Sequence, residues 1–305
     1  MISTPIQSST RVDFPSGSIA SSSKVILADF LNQDTSKVFV IVENTPFHPV
    51  NYKWPDQPAD IGFMTLNDRR FRVTNTLTGA VDLSNYQLYL DQQIPVHKGD
   101  DGWIFVVAHV IDFDADLSPS DLLGENVLLQ VDSERRSRIS ISHSASHLMA
   151  LALNKCAKRY WRKDVKKDSL GNPDLDQLAI QMSKIGELRN KDLYRVGKSS
   201  KKKGFDPSAF LANISEVEEC INSQLSEWLT ADTPISLEPR DSKIDIFRVW
   251  SCELPDGIAK VPCGGTHVSS LSQISAIHVT LEKSSDEPEF VVHTSVKPSD
   301  QNLET

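Results

Sequence analysis

Short apolar runs with strand character fill the first 132 residues. They are rich in β-branched and aromatic residues, and clusters of Gly, Asn, Asp and Pro separate them, which is typical of strands joined by turns. The predicted strands are Lys37–Val42, Arg70–Thr74, Tyr86–Leu90, Trp103–Ala108 and Val127–Val131. This pattern predicts a small N-terminal β-barrel or sandwich, and we assign a first domain to residues 1–132.

The pattern changes after residue 132. Helical spacing dominates from Ser142 to about Leu229, and Asp206-Pro207 is a typical cap and first turn for a helix in this stretch. Its apolar residues at helical spacing are Leu211, Ile214, Val217, Ile221, Leu225 and Trp228. Strands are predicted again at Ile244–Val249, Ile274–Leu281 and Glu289–Val296. The fold class is therefore predicted as α+β, with residues 133–305 forming a second domain in which helices cover an antiparallel sheet.

Charge is distributed unevenly along the chain. The net charge of −9 by itself disfavours a polyanionic partner, yet residues 155–204 hold fifteen Lys or Arg and only six acidic residues. That segment carries +9, so the remainder carries −18. A basic region on an acidic chain can orient a nucleic acid, and a solvated basic helix face gives the same pattern. We assign a basic helical segment to residues 155–240.

The four cysteines indicate a chain without disulfides. Cys156, Cys220 and Cys252 stand alone among apolar or helical residues, which is typical of free buried thiols. We therefore expect a reducing compartment, the cytoplasm. The first 23 residues contain no apolar segment of the kind that secretory signals have, and no run approaches the roughly 20 apolar residues that span a bilayer. No membrane association is expected.

Two short motifs carry metal-binding residue types. In His143-Ser-Ala-Ser-His147 the imidazoles stand at i and i+4, so both project from one face of a predicted helix. In Cys263-Gly-Gly-Thr-His267 two glycines permit a tight turn with positive φ that brings the flanking side chains together. Three imidazoles and one thiolate are the number and kind of ligands that a tetrahedral Zn²⁺ takes. We predict a zinc site made by these four residues, either catalytic or, because four protein ligands close the shell, structural.

Two other classes of protein share parts of this pattern. A zinc metalloprotease also places two histidines at i and i+4, but a glutamate follows the first one as general base, and here that position is Ser144. Proteolysis is therefore disfavoured. A non-catalytic RNA-binding module stabilised by zinc fits the ligands and the basic segment equally well, and this alternative stays open.

These motifs, together with Thr45-Pro-Phe-His-Pro49 and Gln57-Pro-Ala-Asp60, resemble the editing domain of alanyl-tRNA synthetases and its freestanding relatives, the AlaX-type trans-editing proteins. The resemblance covers roughly Val38 to Val296. It implies an N-terminal β-barrel followed by an α+β zinc-binding domain. It also implies hydrolysis of a wrongly attached amino acid, usually serine or glycine, from alanine tRNA. The chain is too short to hold the aminoacylation and anticodon-reading parts of a synthetase, so we expect a freestanding deacylase that acts in trans.

The resemblance also implies roles for particular residues. His143, His147, Cys263 and His267 are expected at the catalytic metal, with His267 either a ligand displaced during turnover or a base beside the metal. Substrate contacts are expected from Thr45, Gln57, Gly264, Gly265 and Thr266. For Thr45 and Gln57 the alternative is an ordinary turn residue and a solvent-facing amide. Contacts to tRNA are expected from Lys198, Lys201, Lys202 and Lys203, and no obligate protein partner is expected.

The expected substrate is seryl-tRNA for alanine. A pocket that hydrogen-bonds a substrate hydroxyl discriminates by roughly 10⁴ or more, whereas an apolar pocket rejects an added hydroxyl only weakly. Thr45 and Gln57 could supply such hydrogen bonds. Trp54-Pro55-Asp56 stands where the family has a Gly-Gly pair, so a threonine-like or another non-cognate amino acid remains an alternative substrate.

Overall fold

The computed structural model describes residues 6–32, 34–113, 117–240, 242–285 and 288–299. The chain divides into two compact units that are each built from separate segments. The first unit, which we call the barrel unit, comprises Met1–Arg136, Leu237–Arg248 and Gly264–Thr266. The second, the ligand unit, comprises Ser137–Ser236, Val249–Cys263 and His267–Thr305.

Six antiparallel strands of the barrel unit close into a barrel. Their order is Gly62–Leu66, Asn126–Val131, Ala20–Leu31, Asp34–Val42, Trp103–Asp112 and Arg69–Asp82, and the last of these pairs again with Gly62–Leu66. Gln87–Leu90 extends the sheet beside Arg69–Asp82. Alternate residues of these strands are buried together, among them Val40, Met64, Val73, Ile111 and Leu129. The predicted barrel is thus confirmed, although the sequence did not indicate the strands Ala20–Leu31 and Gly62–Leu66.

Shorter elements complete the barrel unit. Arg11–Val12 pairs in parallel with Asn44–Thr45 and antiparallel with Ser242–Lys243. Single 3₁₀ turns are found at Phe14–Ser16, Asp91–Gln93 and Pro119–Leu122. The predicted strand Ile244–Val249 is wrong for its first five residues, which form a turn and an irregular stretch. Its apolar pattern misled because Ile244 is buried whereas Ile246, which would share a sheet face with it in a strand, is 44% exposed.

The ligand unit combines helices with an antiparallel sheet, as the α+β prediction requires. Its long helix is Ser133–Ala157, of which the last 21 residues belong to this unit, and the other helices are Leu175–Ala179, Lys198–Lys202, Pro207–Ala212 and Ile214–Trp228. The sheet has the order Ile180–Gly186, Arg189–Arg195, Glu289–Pro298, Ile274–Lys283. A second sheet contains Val249–Leu254, Gly257–Pro262 and the strand Ile235–Glu238, of which the first two residues belong to this unit. The 3₁₀ turns lie at Lys158–Tyr160 and Leu271–Gln273.

The sequence predicts helices from Ser142 to Leu229 and a helical basic segment at residues 155–240. Both predictions are wrong for the middle of the stretch. Ile180–Gly186 and Arg189–Arg195 form a hairpin there. Its strands alternate between buried residues such as Ile185 and exposed charged ones such as Lys184. That alternation is a strand pattern, and the abundance of Lys and Arg concealed it.

The expectation of free thiols is wrong for two of the three cysteines. Cys156 and Cys220 form a disulfide that joins the helices Ser133–Ala157 and Ile214–Trp228 across 64 residues of sequence. Cys252 is a free buried thiol as expected, and burial raises its pKa to about 12. The inference of a reducing compartment from cysteine usage therefore loses its basis.

None of the helices in the described ranges combines the length and the apolar character that crossing a membrane requires.

Candidate metal centre

The four predicted metal ligands meet within the ligand unit. The long helix presents His143 and His147 one turn apart, Cys263 follows the strand Gly257–Pro262, and His267 lies in the loop beyond it. One ligand atom from each residue lies within 4.8 Å of all the others. Cys263 Sγ is 3.4 Å from His143 Nε2 and 3.2 Å from His267 Nε2. A thiolate and three imidazoles therefore converge on one point.

The two separations that involve Cys263 Sγ fit a metal ion. With metal–sulfur and metal–nitrogen bonds of about 2.3 Å and 2.0 Å, a tetrahedral shell has sulfur–nitrogen edges of about 3.5 Å. The two measured distances lie close to that edge. In addition, His147 Nε2 is buried and has no hydrogen-bond partner among the described residues. A buried polar atom left without a partner is costly, and a metal at the centre of the cluster would remove that cost.

The protonation state of His147 also suits metal binding. Burial lowers the pKa of His147 to about 3, so its imidazole is neutral at physiological pH. The neutral form is the one that ligates metals. Trp250, which is fully buried, lies with its ring centroid 5.1 Å from that of His147 and 6.1 Å from that of His267. The indole therefore packs beside two of the four candidate ligands.

Ser144 holds one of the ligands in place. Its Oγ lies 3.2 Å from His267 Nδ1 and accepts a hydrogen bond from the backbone N–H of Val268, also at 3.2 Å. A hydroxyl oxygen has two lone pairs and can accept from both groups. If Nδ1 carries the proton, the lone pair of His267 Nε2 faces Cys263, which is the tautomer a metal ligand needs. Sequence reasoning used Ser144 only to argue against a protease and missed this contact.

The predicted substrate residue Thr45 is buried in the barrel unit. Its Oγ1 lies 2.8 Å from His109 Nε2 and accepts from the N–H of Phe47 at 3.1 Å. Burial lowers the pKa of His109 to about 4, and its Nδ1 lies 3.0 Å from the carbonyl oxygen of Val40. A carbonyl only accepts, so Nδ1 carries the proton and Nε2 accepts from Thr45. The threonine oxygen then retains one acceptor lone pair.

Gln57, the second predicted substrate residue, is also buried and not solvent-facing. Its Nε2 donates to Thr266 Oγ1 and its Oε1 accepts from the N–H of Thr266, both at 2.9 Å. Nε2 also lies 3.3 Å from His48 Nδ1. The amide of Gln57 is thus committed to the backbone and side chain of Thr266, a residue that the sequence separately predicted to contact substrate.

A buried ion pair between Asp60 and Arg136 connects the motifs Thr45–Pro49 and Gln57–Asp60. The carboxylate of Asp60 accepts from Arg136 Nε at 2.8 Å and also from Arg136 Nη2. The same Nη2 donates to the carbonyl of Pro46 at 2.8 Å, and Asp60 accepts from the N–H of His48 at 2.5 Å. The side chains of Arg136 and Asp60 are only 7% and 2% exposed. The sequence gave no signal for this pair, because its members are 76 residues apart.

The remaining predicted residues occupy less distinctive positions. Gly264 does not adopt a positive φ, so the left-handed turn expected there is not formed at this residue. A Cβ at Gly264 would meet no atom within 4 Å. The lysines predicted to contact tRNA lie on or directly after the short helix Lys198–Lys202 and are exposed.

Comparisons with known proteins relate the chain to alanine–tRNA ligases. No family model matches it. The chloroplastic/mitochondrial alanine–tRNA ligase of Arabidopsis thaliana is 25% identical over 258 residues, which is 81% of this chain and 21% of that protein. The enzyme of Cupriavidus necator is 25% identical over 258 residues, 80% of this chain and 22% of its own length. That of Thermotoga maritima is 29% identical over 176 residues, 53% of this chain and 17% of its own. The chain thus spans about a fifth of the length of these relatives.

Proposed function

We propose that the chain is a zinc-dependent aminoacyl-tRNA deacylase that hydrolyses mischarged tRNA in trans. The observation that carries the proposal is the convergence of His143, His147, Cys263 and His267 within 4.8 Å. The similarity to alanine–tRNA ligases supports tRNA as the partner. The resemblance of the motifs to synthetase editing domains supports ester hydrolysis as the reaction.

Zinc is the metal that the four side chains favour. Thiolate and imidazole ligands select it over magnesium or calcium, which prefer oxygen. When bound, zinc supplies Lewis acidity toward an ester carbonyl or a water molecule. Trp250 packs beside two of these ligands, and apolar surroundings of this kind strengthen electrostatic interactions.

The four ligands are not equally fixed in position, and we assign to His267 the change of position or protonation that the reaction requires. His143 and His147 stand on a helix of 25 residues, whereas His267 stands in a loop and is steadied by Ser144. A loop residue can leave its position with less disturbance of packing than a helical one. His267 is therefore the ligand we expect to yield its place to substrate, or to hold a proton at Nε2 beside the reacting ester.

We propose seryl-tRNA for alanine as the substrate, with threonine-like and other non-cognate esters as alternatives. The acceptor lone pair that Thr45 Oγ1 retains can take a hydrogen bond from a substrate hydroxyl, which alanine lacks. Gln57 contributes by holding Thr266, with Gly264 and Gly265 leaving space for the ligand. The exposed Lys198, Lys201, Lys202 and Lys203 are proposed to contact the tRNA backbone.

A second candidate function is a non-catalytic RNA-binding module that zinc stabilises. The observation in its favour is the number of ligands, because four protein side chains complete a tetrahedral shell and leave no position for substrate. Under this alternative His267 is as permanent a ligand as His147.

Metal analysis combined with a deacylation assay tests the proposal. Purified protein should contain one zinc per chain, and His147→Ala or Cys263→Ala should lose it. His267→Ala should retain most of the zinc and hydrolyse mischarged tRNA slower by about a hundredfold. His97→Ala, which alters an exposed histidine of the barrel unit, should match the wild type in both measurements.

Three results would contradict the proposal in different ways. Protein without metal would remove its basis. Protein with zinc that hydrolyses none of seryl-, glycyl-, threonyl- and alanyl-tRNA would favour the RNA-binding module. Equal rates on seryl- and alanyl-tRNA would keep the deacylase but remove the assigned selectivity.

A further inference from the structure

The exposed face of the four-stranded sheet in the ligand unit carries a group of cations. Lys184 lies directly opposite Lys191 on the neighbouring strand, and Lys191 lies opposite His293 on the next. Two residues before Lys191 on the same strand, Arg189 lies opposite Ser295. Lys184, Arg189 and Lys191 are exposed, and we call these three residues the sheet-face cluster.

This arrangement costs stability in the isolated protein. Like charges placed directly across two antiparallel strands repel one another, as Lys184 and Lys191 must. Within the part of the chain that the structure describes, no acidic group lies within ion-pair distance of any member of the cluster. Beside the cluster, the carboxylate of Glu282 lies 3.5 Å from His293 Nε2, and the three cations of the cluster take no part in that pair. An anion placed over the cluster would relieve the repulsion.

The sheet forms a hollow at this position. Its volume is about 560 Å³, and the cluster lines it together with His278, Thr280 and His293. Hydroxyl and imidazole groups therefore stand beside the cations. Each exposed side chain that lines the hollow ends in a charged, imidazole or hydroxyl group, and none of them is a large apolar residue of the kind that inserts below membrane headgroups.

We propose that the sheet-face cluster binds the sugar-phosphate backbone of RNA. Strands repeat at about 4.8 Å, so cations and hydrogen-bonding groups on four adjacent strands extend over roughly 14 Å, which exceeds a single phosphate group. The neighbouring Thr280 and Ser295 can hydrogen-bond ribose hydroxyls. This inference rests on the proposed function, because it takes tRNA as the RNA, and it assigns a contact surface separate in sequence from Lys198–Lys203.

The salt dependence of tRNA binding tests the cluster. The double variant Lys184→Gln/Lys191→Gln removes two cations, and each lost phosphate contact should reduce the slope of log K against log salt by about 0.7–0.9. Between 50 and 200 mM salt the wild type should therefore lose about tenfold more affinity for uncharged tRNA than the variant does. The control Lys24→Gln/Lys260→Gln removes two exposed lysines elsewhere and should keep the wild-type slope.

The outcomes separate this inference from the proposed function. An unchanged slope in Lys184→Gln/Lys191→Gln overturns the inference, even if the protein deacylates mischarged tRNA. A reduced slope supports it, even if no deacylation is found. The wild type can also be tested for binding to vesicles that contain anionic lipid. If the same variant loses vesicle binding and keeps unaltered tRNA binding, RNA is not the occupant of the cluster. Binding of inorganic phosphate at millimolar concentration by a protein that binds no tRNA would also overturn it.

Discussion

Two clusters of buried polar side chains, one in each unit, differ in how their members are satisfied. In the barrel unit, Thr45, His109, Asp60 and Arg136 hydrogen-bond one another or nearby backbone groups. In the ligand unit, His147 Nε2 is buried and has no partner among the residues that the structure describes, and the other three candidate ligands cluster around the same point. Networks whose members are all partnered rigidify a fold. A buried imidazole nitrogen that lacks a partner and lies among three other side chains of metal-ligating type instead indicates a site for a bound ion. The comparison therefore separates a structural network from a ligand site.

Breaking the barrel network should cause the largest loss of unfolding free energy. Arg136→Met removes the partner of a buried carboxylate and leaves Asp60 with an uncompensated charge. Such a loss typically costs about 3–5 kcal/mol of unfolding free energy. Urea denaturation of the purified variant measures this cost. Arg138→Met, two residues along the same helix, removes an exposed pair with Glu187 and should cost less than about 1 kcal/mol. Equal costs in the two variants would mean that the buried pair does not support the barrel.

Removing the disulfide of the ligand unit should cause the next largest loss of stability. Replacing Cys156 and Cys220 by serine opens a closed loop of 64 residues, and losses of about 2–4 kcal/mol are typical for such bonds. The melting temperature of the wild type should fall in reductant, and that of the double serine variant should not change further. A wild type that melts at the same temperature with and without reductant would contradict a disulfide in the folded protein.

The features that could be predicted from the sequence are those that residues close together in the chain determine. The i, i+4 spacing of His143 and His147 and the short span from Cys263 to His267 are local patterns, so the ligand cluster could be predicted from them. Four of the six barrel strands followed from β-branched or aromatic runs in the same way, whereas Ala20–Leu31 and Gly62–Leu66 did not. The Cys156–Cys220 bond and the Asp60–Arg136 pair depend on contacts across 64 and 76 residues, which no local pattern encodes. The hairpin at Ile180–Arg195 was missed because charged residues at alternate positions were interpreted as a helix surface.

Thr45 tests whether a residue of the buried barrel network also selects the substrate. Thr45 belongs to the satisfied network, yet it is also the residue proposed to recognise a substrate hydroxyl. Thr45→Val keeps the shape of the side chain but removes the donor to His109 Nε2 and the acceptor for the N–H of Phe47. Buried groups left without partners in this way cost about 1–3 kcal/mol of unfolding free energy, which urea denaturation measures. Thr45→Ser retains the hydroxyl and should lose less.

The two roles of Thr45 predict different changes in activity. If Thr45 recognises the substrate hydroxyl, the valine variant should lose preference for seryl-tRNA over alanyl-tRNA, because an apolar surface distinguishes the two esters only weakly. The serine variant should keep the preference. Rates of deacylation on both substrates, measured at a temperature where all variants are folded, give the ratio directly. A valine variant that is less stable but as selective as the wild type would place Thr45 entirely in the structural network, and discrimination would then have to come from other residues or from the tRNA itself.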